Sequence, residues 1–248
     1  MVNSASPPLG AEGTASRPVV LALDSAGSTC SVAVSVGDMV ASIERVASAL
    51  GQAERLLPMV DRALSRAGLP PTAVNAVATT IGPGSFTGIR IGLAAAKGIA
   101  LASGARLVGV SSFDAVAVAS AHRHRFLLVA LESRREDLYI QLFDPQHDSV
   151  CEPVAMMPAG LGDVVTTMIG SLPLLIAGDA AQRAAVMLSQ RPDTTISSDS
   201  APDAIGALRA ALRRLRIGER DSGARPLYLR PPDVTLPVER RKPDLGQR

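Results

Sequence analysis

The chain has 248 residues, 47% hydrophobic and 19% charged, enough for one or two domains with a sizeable apolar core. Its 25 basic and 23 acidic residues leave a net charge of +2, which is no polyanion-binding signature; four Phe, two Tyr and no Trp argue against base-stacking platforms for single-stranded nucleic acid. Two isolated cysteines, Cys30 and Cys151, offer neither a disulfide framework nor a zinc motif and fit a reduced, cytoplasmic setting.

Residues 1–17 are rich in Ser, Ala, Pro and Gly and lack an apolar h-region, so a disordered extension is expected there rather than a signal peptide. Val19–Leu23 is a short apolar run ending at Asp24, followed by a polar turn and the Val-rich stretch Cys30–Val36. That pattern predicts a hairpin, and Gly37-Asp38 with Met39–Val46 extends it by a third strand. A helix is predicted over 52–67, where Leu57, Val60, Leu64 and Ala67 recur at helical spacing before Gly68; Pro58 either delays its start or kinks it. Val74–Ile81 reads as a strand that ends in a glycine-proline turn. The next helix begins near Thr87 and is apolar or small on nearly every side, with only Arg90 and Lys97 charged. Leu107–Val110 is a short strand, and Ser111 or Ser112 caps a helix through Ala121.

The second half repeats the theme. Phe126–Leu131 and Leu138–Phe143 read as strands joined by the charged turn 132–137, Pro173–Ala177 is closed by Gly178-Asp179, and Pro202–Arg216 is an amphipathic helix. Leu208, Leu212 and Leu215 form one stripe of it and Arg209, Arg213 and Arg216 another, which reads either as a solvated face or as a contact for RNA phosphates. A core of Ala, Val, Leu and Ile suits a sheet covered by helices. No apolar stretch is expected to reach the ~18 residues of a membrane span.

A helix that is apolar all round must be covered all round. It is either wedged between two lobes or, together with the helix at 52–67, presented to a partner; Gly88, Gly92, Ala95, Ala96 and Ala102 would let another backbone approach. Gly82, Gly84 and Gly88 permit the tight strand-to-helix turn, with Ser85 or Thr87 as cap. The segment is no P-loop, because its lysine comes only at Lys97, and no nucleophile elbow, because Ser85 follows Gly84 directly and lacks a His–Asp pair. A peptidase reading fails on that missing base. His122 and His124 stand two residues apart and His147 far away, so no imidazole metal set is expected. Asp24, Ser25 and Ser28 read either as a phosphate-facing hairpin or as an ordinary hairpin with an Asx turn, with Asp179 as second-lobe counterpart.

Three segments resemble the TsaB (YeaZ) family: Leu21-Ala-Leu-Asp-Ser-Ala with Cys30-Ser-Val-Ala-Val34, Gly82-Pro-Gly-Ser-Phe-Thr-Gly-Ile-Arg-Ile-Gly92 with Ala96-Lys-Gly-Ile-Ala100, and Pro226-Leu-Tyr-Leu-Arg-Pro-Pro-Asp233. Asp24-Ser25-Ala26 stands where many relatives carry Asp-Thr-Ser. The resemblance implies an α/β chain of the actin-like, sugar-kinase and Hsp70 ATPase type, with two RNase H-like lobes, each a mixed sheet flanked by helices. The expected division is an extension over 1–17, an N-terminal lobe over 18–115, a C-terminal lobe over 116–235 and a disordered tail over 236–248. It further implies a non-catalytic subunit that pairs with the catalytic paralogue TsaD and the P-loop ATPase TsaE, supporting threonylcarbamoyl transfer to adenosine 37 of tRNAs that read ANN codons. No cofactor is firmly assigned, ATP or ADP in the cleft being the candidate; tRNA contact is expected to be indirect or weak, and the chain in isolation is either a monomer or a homodimer. The alternative is an ATP-dependent small-molecule kinase of the same superfamily. Such proteins join homologous partners through a helical bundle, which here would use Leu57, Val60, Leu64, Ile89, Gly92, Leu93, Ala95, Ala96 and Ile99, with Arg90 and Lys97 at the rim.

Overall fold

A computed structural model describes residues 17–47, 51–120, 124–197, 201–218 and 224–230. The expected extension (but for its last residue, Arg17), the tail and His122 lie outside the described residues. The elements are β1 (Val19–Asp24), β2 (Thr29–Val36), β3 (Met39–Ala47), α1 (Gln52–Arg66), β4 (Ala76–Thr80), α2 (Phe86–Ser103), β5 (Arg106–Val110) and α3 (Ser112–Ala119). They are followed by β6 (Phe126–Glu132), β7 (Leu138–Phe143), β8 (Val154–Met156), α4 (Leu161–Ile169), β9 (Leu174–Ala177), α5 (Ala181–Met187), β10 (Thr194–Ile196) and α6 (Ala204–Arg216).

Two five-stranded sheets are built alike. The first has the order β3-β2-β1-β4-β5 and the second β8-β7-β6-β9-β10. In each, the founding strand pairs antiparallel with its hairpin partner and parallel with the strand that follows the first helix. Alternation along the founding strands sorts their side chains to two faces. Val19, Leu21 and Leu23 of β1 pack with Leu56, Met59 and Val60 of α1 and Ala96 of α2, whereas Val20 and Ala22 pack under α6. In β6, Leu128 and Ala130 face α4 and α5, whereas Leu127 and Val129 face Phe113 and Val116 of α3. Both founding strands are therefore covered on both sides, which explains their near-continuous apolar sequence.

Chain position would put α6 in the second lobe, but it lies on the first sheet, against β1, β2, β4 and β5. Small residues on both sides allow this: Ala22, Ala33, Ala76 and Ala78 meet Ala204, Ala207, Ala210 and Ala211. Asp203 caps the helix by accepting from the Gly206 amide at 2.8 Å, and the Ala204 amide donates to Ser31 Oγ at 2.9 Å. Arg213 pairs with Asp148 at 3.0 Å, Arg214 with Asp114 at 2.6 Å, and Arg216 with Asp38. Much of the arginine stripe thus holds the chain's own carboxylates.

The remaining differences are local. Helix α1 runs through Pro58 from Gln52 onward, forgoing one backbone bond on its exposed side. Helix α2 is long and apolar enough, by length and composition, to cross a membrane, contrary to the sequence expectation; one side of it packs on β4, β5 and α1. Strands β8 and β10 and helices α4 and α5 were not foreseen; each is short, three to nine residues.

Candidate functional site

The first candidate is the cleft between the lobes, about 340 Å³, lined by Ala26, Gly27 and Ser28 of the first hairpin, Pro83–Ser85 of the glycine-rich turn, and Leu131, Glu132, Arg134 and Asp179 opposite. Ser28 reaches it. Asp24 lies beneath the hairpin, fully buried, accepting from Thr80 Oγ1 at 2.6 Å and from the Ala26 amide at 3.3 Å. Its second oxygen, Oδ2, has no hydrogen-bond partner among the described residues. Burial outweighs those two bonds and pushes the carboxyl up to about 7, with Asp203 and Asp179 adding repulsion. Ser25 turns away from the cleft, because its hydroxyl donates to the Gly88 carbonyl at 2.8 Å and fastens the hairpin to α2. The glycine-rich turn closes against the same hairpin: the Ser85 amide donates to the Ala26 carbonyl at 2.7 Å, and a Gly84 Cβ would stand 2.5 Å from that oxygen. Gly82, at φ 107°, turns the chain out of the sheet. Ser85 caps α2 by accepting from the Gly88 amide, while Thr87 is exposed inside the first turn. Ser85 is thus a cap, and no histidine bonds it among the described residues.

The wall contributed by the second lobe is the duplicate of the first hairpin. Glu132 ends β6 as Asp24 ends β1, and the charged turn 133–137 takes the place of residues 25–28. Asp179 Oδ1 accepts from the Glu132 amide at 2.9 Å, and burial raises its pKa. Arg183 pairs with Glu132 and donates to the Glu136 carbonyl at 2.8 Å, so its charge is spent on the turn. This donor set does not fit a polyphosphate. One hairpin hydroxyl is committed elsewhere, Glu132 and Asp179 face the space, and Arg134 is the one cation among the lining residues. No group of three or more His, Cys, Asp or Glu among the described residues stands ready for a metal ion.

The second candidate is the outward face of α2. Of the expected interface residues, Val60, Leu64, Ile89, Gly92, Leu93 and Ala96 are buried inside the chain itself and are core, not contact. Ala95 and Ile99 are half-buried against α1. Arg90 and Lys97 are exposed, and so is Leu57 at 54%. The sequence pattern missed which side of the helix is free, because an all-apolar helix carries no phase. The free stripe is Phe86, Arg90, Ala94, Lys97, Gly98 and Leu101, the last 87% exposed. Leu57 lies on the flank of α1 opposite Arg62 and Arg66, which both pair with Glu44 of β3.

Comparison with known proteins gives the arrangement its relatives. The family model for tRNA N6-adenosine threonylcarbamoyltransferase (TsaD) matches residues 45–161. The tRNA threonylcarbamoyladenosine biosynthesis protein TsaB of Haemophilus influenzae is 34% identical over 122 residues, 48% of this chain and 51% of that protein. Its Escherichia coli counterpart is 36% identical over 123 residues, 48% of this chain and 52% of that protein. The structure of YeaZ from Pseudomonas aeruginosa superposes with a TM-score of 0.74 at 26% identity, covering 86% of this chain and 100% of that one. In sequence over about half of its length, and in fold over most of it, the chain is similar to TsaB/YeaZ proteins. The matched segments span about half the length of the curated TsaB relatives. The two duplicated sheets belong to the architecture shared with that YeaZ structure. The residues missed by sequence reasoning are Glu132 and Arg134 in the cleft and the Phe86–Tyr228 pair beside α2. The repeated strand order was the available signal for the first two; nothing in the sequence pairs the aromatics.

Proposed function

We propose that this chain is a non-catalytic subunit of the machinery that forms threonylcarbamoyladenosine in tRNA, docking the catalytic TsaD paralogue through α2 and the adjoining edge of α1, with the TsaE ATPase as a third component. The observation that carries this reading is Gly98. It sits in the interior of an 18-residue helix, exposed, with nothing within 4 Å of where a Cβ would stand. A glycine there costs helix stability and serves no packing within the chain, whereas a close-approaching helix has use for it. Ala94 and Leu101, on the same face of α2, add exposed apolar surface beside it, of the kind that marks protein contact. The cleft, with Ser25 committed and carboxylates opposite, supports a binding role over turnover of a nucleotide. Co-purification with TsaD tests the reading: Gly98→Phe should fold like the parent chain and fail to retain TsaD. Retention at the parent level would refute it.

A further inference from the structure

Residues 224–230 run from one lobe to the other past the N-terminal half of α2. Ala224 packs with Ala26, Ile89 and Leu93, and the Leu227 amide donates to the Ile81 carbonyl at 2.8 Å, both on the first lobe. Tyr228 meets Phe86 with ring centroids 5.2 Å apart. Arg90 lies 3.7 Å above the Phe86 ring and donates through Nε to the Tyr228 hydroxyl at 3.3 Å. Leu229 then enters the cluster of Leu127, Val129 and Phe143. Arg230 ends the segment on Asp137, a buried carboxylate in the turn that borders the cleft, which also accepts from Ser133 Oγ at 2.7 Å.

We infer that this strap completes the partner-binding face. Tyr228, Phe86 and Arg90 form its anchor at the start of α2, and Arg230 is a positioning residue that holds the strap in place from the other lobe. The inference rests on the docking of α2 proposed above. Tyr and Arg are the side chains that dominate interface energetics, because they combine large rigid contact area with directed donors. Tyr228 and Phe86 are 39% and 37% exposed, so both rings present surface, in a chain with only six Phe and Tyr in all. Arg90 is exposed and is pinned by its stack and its Nε bond, and no hydrogen bond among the described residues engages its terminal nitrogens, which leaves a guanidinium fork that suits a carboxylate. Lys97 follows seven residues later on the same face, and α2 carries no acidic residue. The occupant that this pattern fits is a helix of the paralogous subunit with two carboxylates seven residues apart, as Glu54 and Asp61 stand on the exposed side of this chain's own α1.

The test uses the full chain and its variants, titrated against TsaD, with light scattering of the chain alone and acrylamide quenching in a Tyr139→Phe background. There Tyr228 is the only tyrosine and no tryptophan interferes. Arg230→Ala should weaken TsaD binding about tenfold, make Tyr228 more accessible to quencher and leave circular dichroism unchanged. Arg230→Lys should restore most of both readouts, and Tyr228→Ala should weaken binding by a similar factor. Unaltered quenching in Arg230→Ala overturns the positioning role. Parent-level affinity in Tyr228→Ala, while Gly98→Phe abolishes binding, overturns the anchor and leaves the docking reading standing. Parent-level affinity in Gly98→Phe overturns both. If Tyr228→Ala dissolves a dimer of this chain while TsaD affinity is unchanged, the occupant is a second copy and the assignment is wrong.

Discussion

The three interior glycines of α2 offer a graded perturbation along one helix. A Cβ at Gly98 would meet nothing within 4 Å, so Gly98→Ala changes only backbone freedom and helix propensity. It should stabilise the isolated chain by about 1 kcal/mol. For a chain of this size that raises the melting temperature by roughly 2–4 °C. At Gly92 a Cβ would stand 2.7 Å from Ser25 Oγ and 3.1 Å from Thr79 Oγ1. Moving the Ser25 hydroxyl aside forfeits its bond to the Gly88 carbonyl, so Gly92→Ala should cost about 1–3 kcal/mol. At Gly88 the Cβ would fall 1.9 Å from the Ser25 carbonyl oxygen, a backbone atom that cannot turn away, and Gly88→Ala should cost more than Gly92→Ala. Thermal or urea unfolding, at concentrations where light scattering gives the monomer mass, ranks them. Destabilisation by Gly98→Ala, or a Gly88 variant as stable as the parent, would refute the assignment of which face of α2 is free.

Asp24 governs a pH-dependent stability. Its pKa, about 7 in the fold against an ordinary 3.8, means that the folded state holds the extra proton between those values. Stability is therefore fully present below about pH 4 and falls as pH rises, on the order of 1.4 kcal/mol per unit, until it levels off above 7. Asp24→Asn keeps the Thr80 and Ala26 bonds without the charge; it should be more stable than the parent at pH 8 and nearly equal at pH 4.5, and parallel unfolding curves at both pH values would count against this account. Calorimetric titration with ATP and Mg²⁺ should show no saturable binding below the millimolar range, and a micromolar dissociation constant would overturn the reading of the cleft. Asp203→Ala removes the α6 cap and should cost about 1 kcal/mol in chemical unfolding; no loss would show that the cap bond to Gly206 is immaterial.

Much of the first lobe was legible because its signals are local. The run ending at Asp24, the Gly37-Asp38 turn and the Ser111 cap each act within a few residues, and each element formed close to its expected place. The second lobe was harder, since β8 and β10 are three-residue edge strands whose pairing comes from β7 and β9 rather than from their own composition. Ser25 illustrates the limit at the cleft. Its residue type suits a phosphate, yet its direction is set by Gly88, 63 positions away.

The amino-acid order alone determined that an all-apolar helix follows a glycine-proline turn, that hairpins found each half, and that the three histidines stand at positions 122, 124 and 147, outside the usual metal-ligand spacings. Tertiary structure decided which side of α2 is spent on the sheet, that α6 returns to the first sheet, and that the strap at 224–230 ties Tyr228 to Arg90 and Arg230 to Asp137. The reason is physical. Periodicity encodes a face only where polar and apolar residues alternate in phase, and long-range contacts depend on side-chain volumes meeting across space, which no local pattern records.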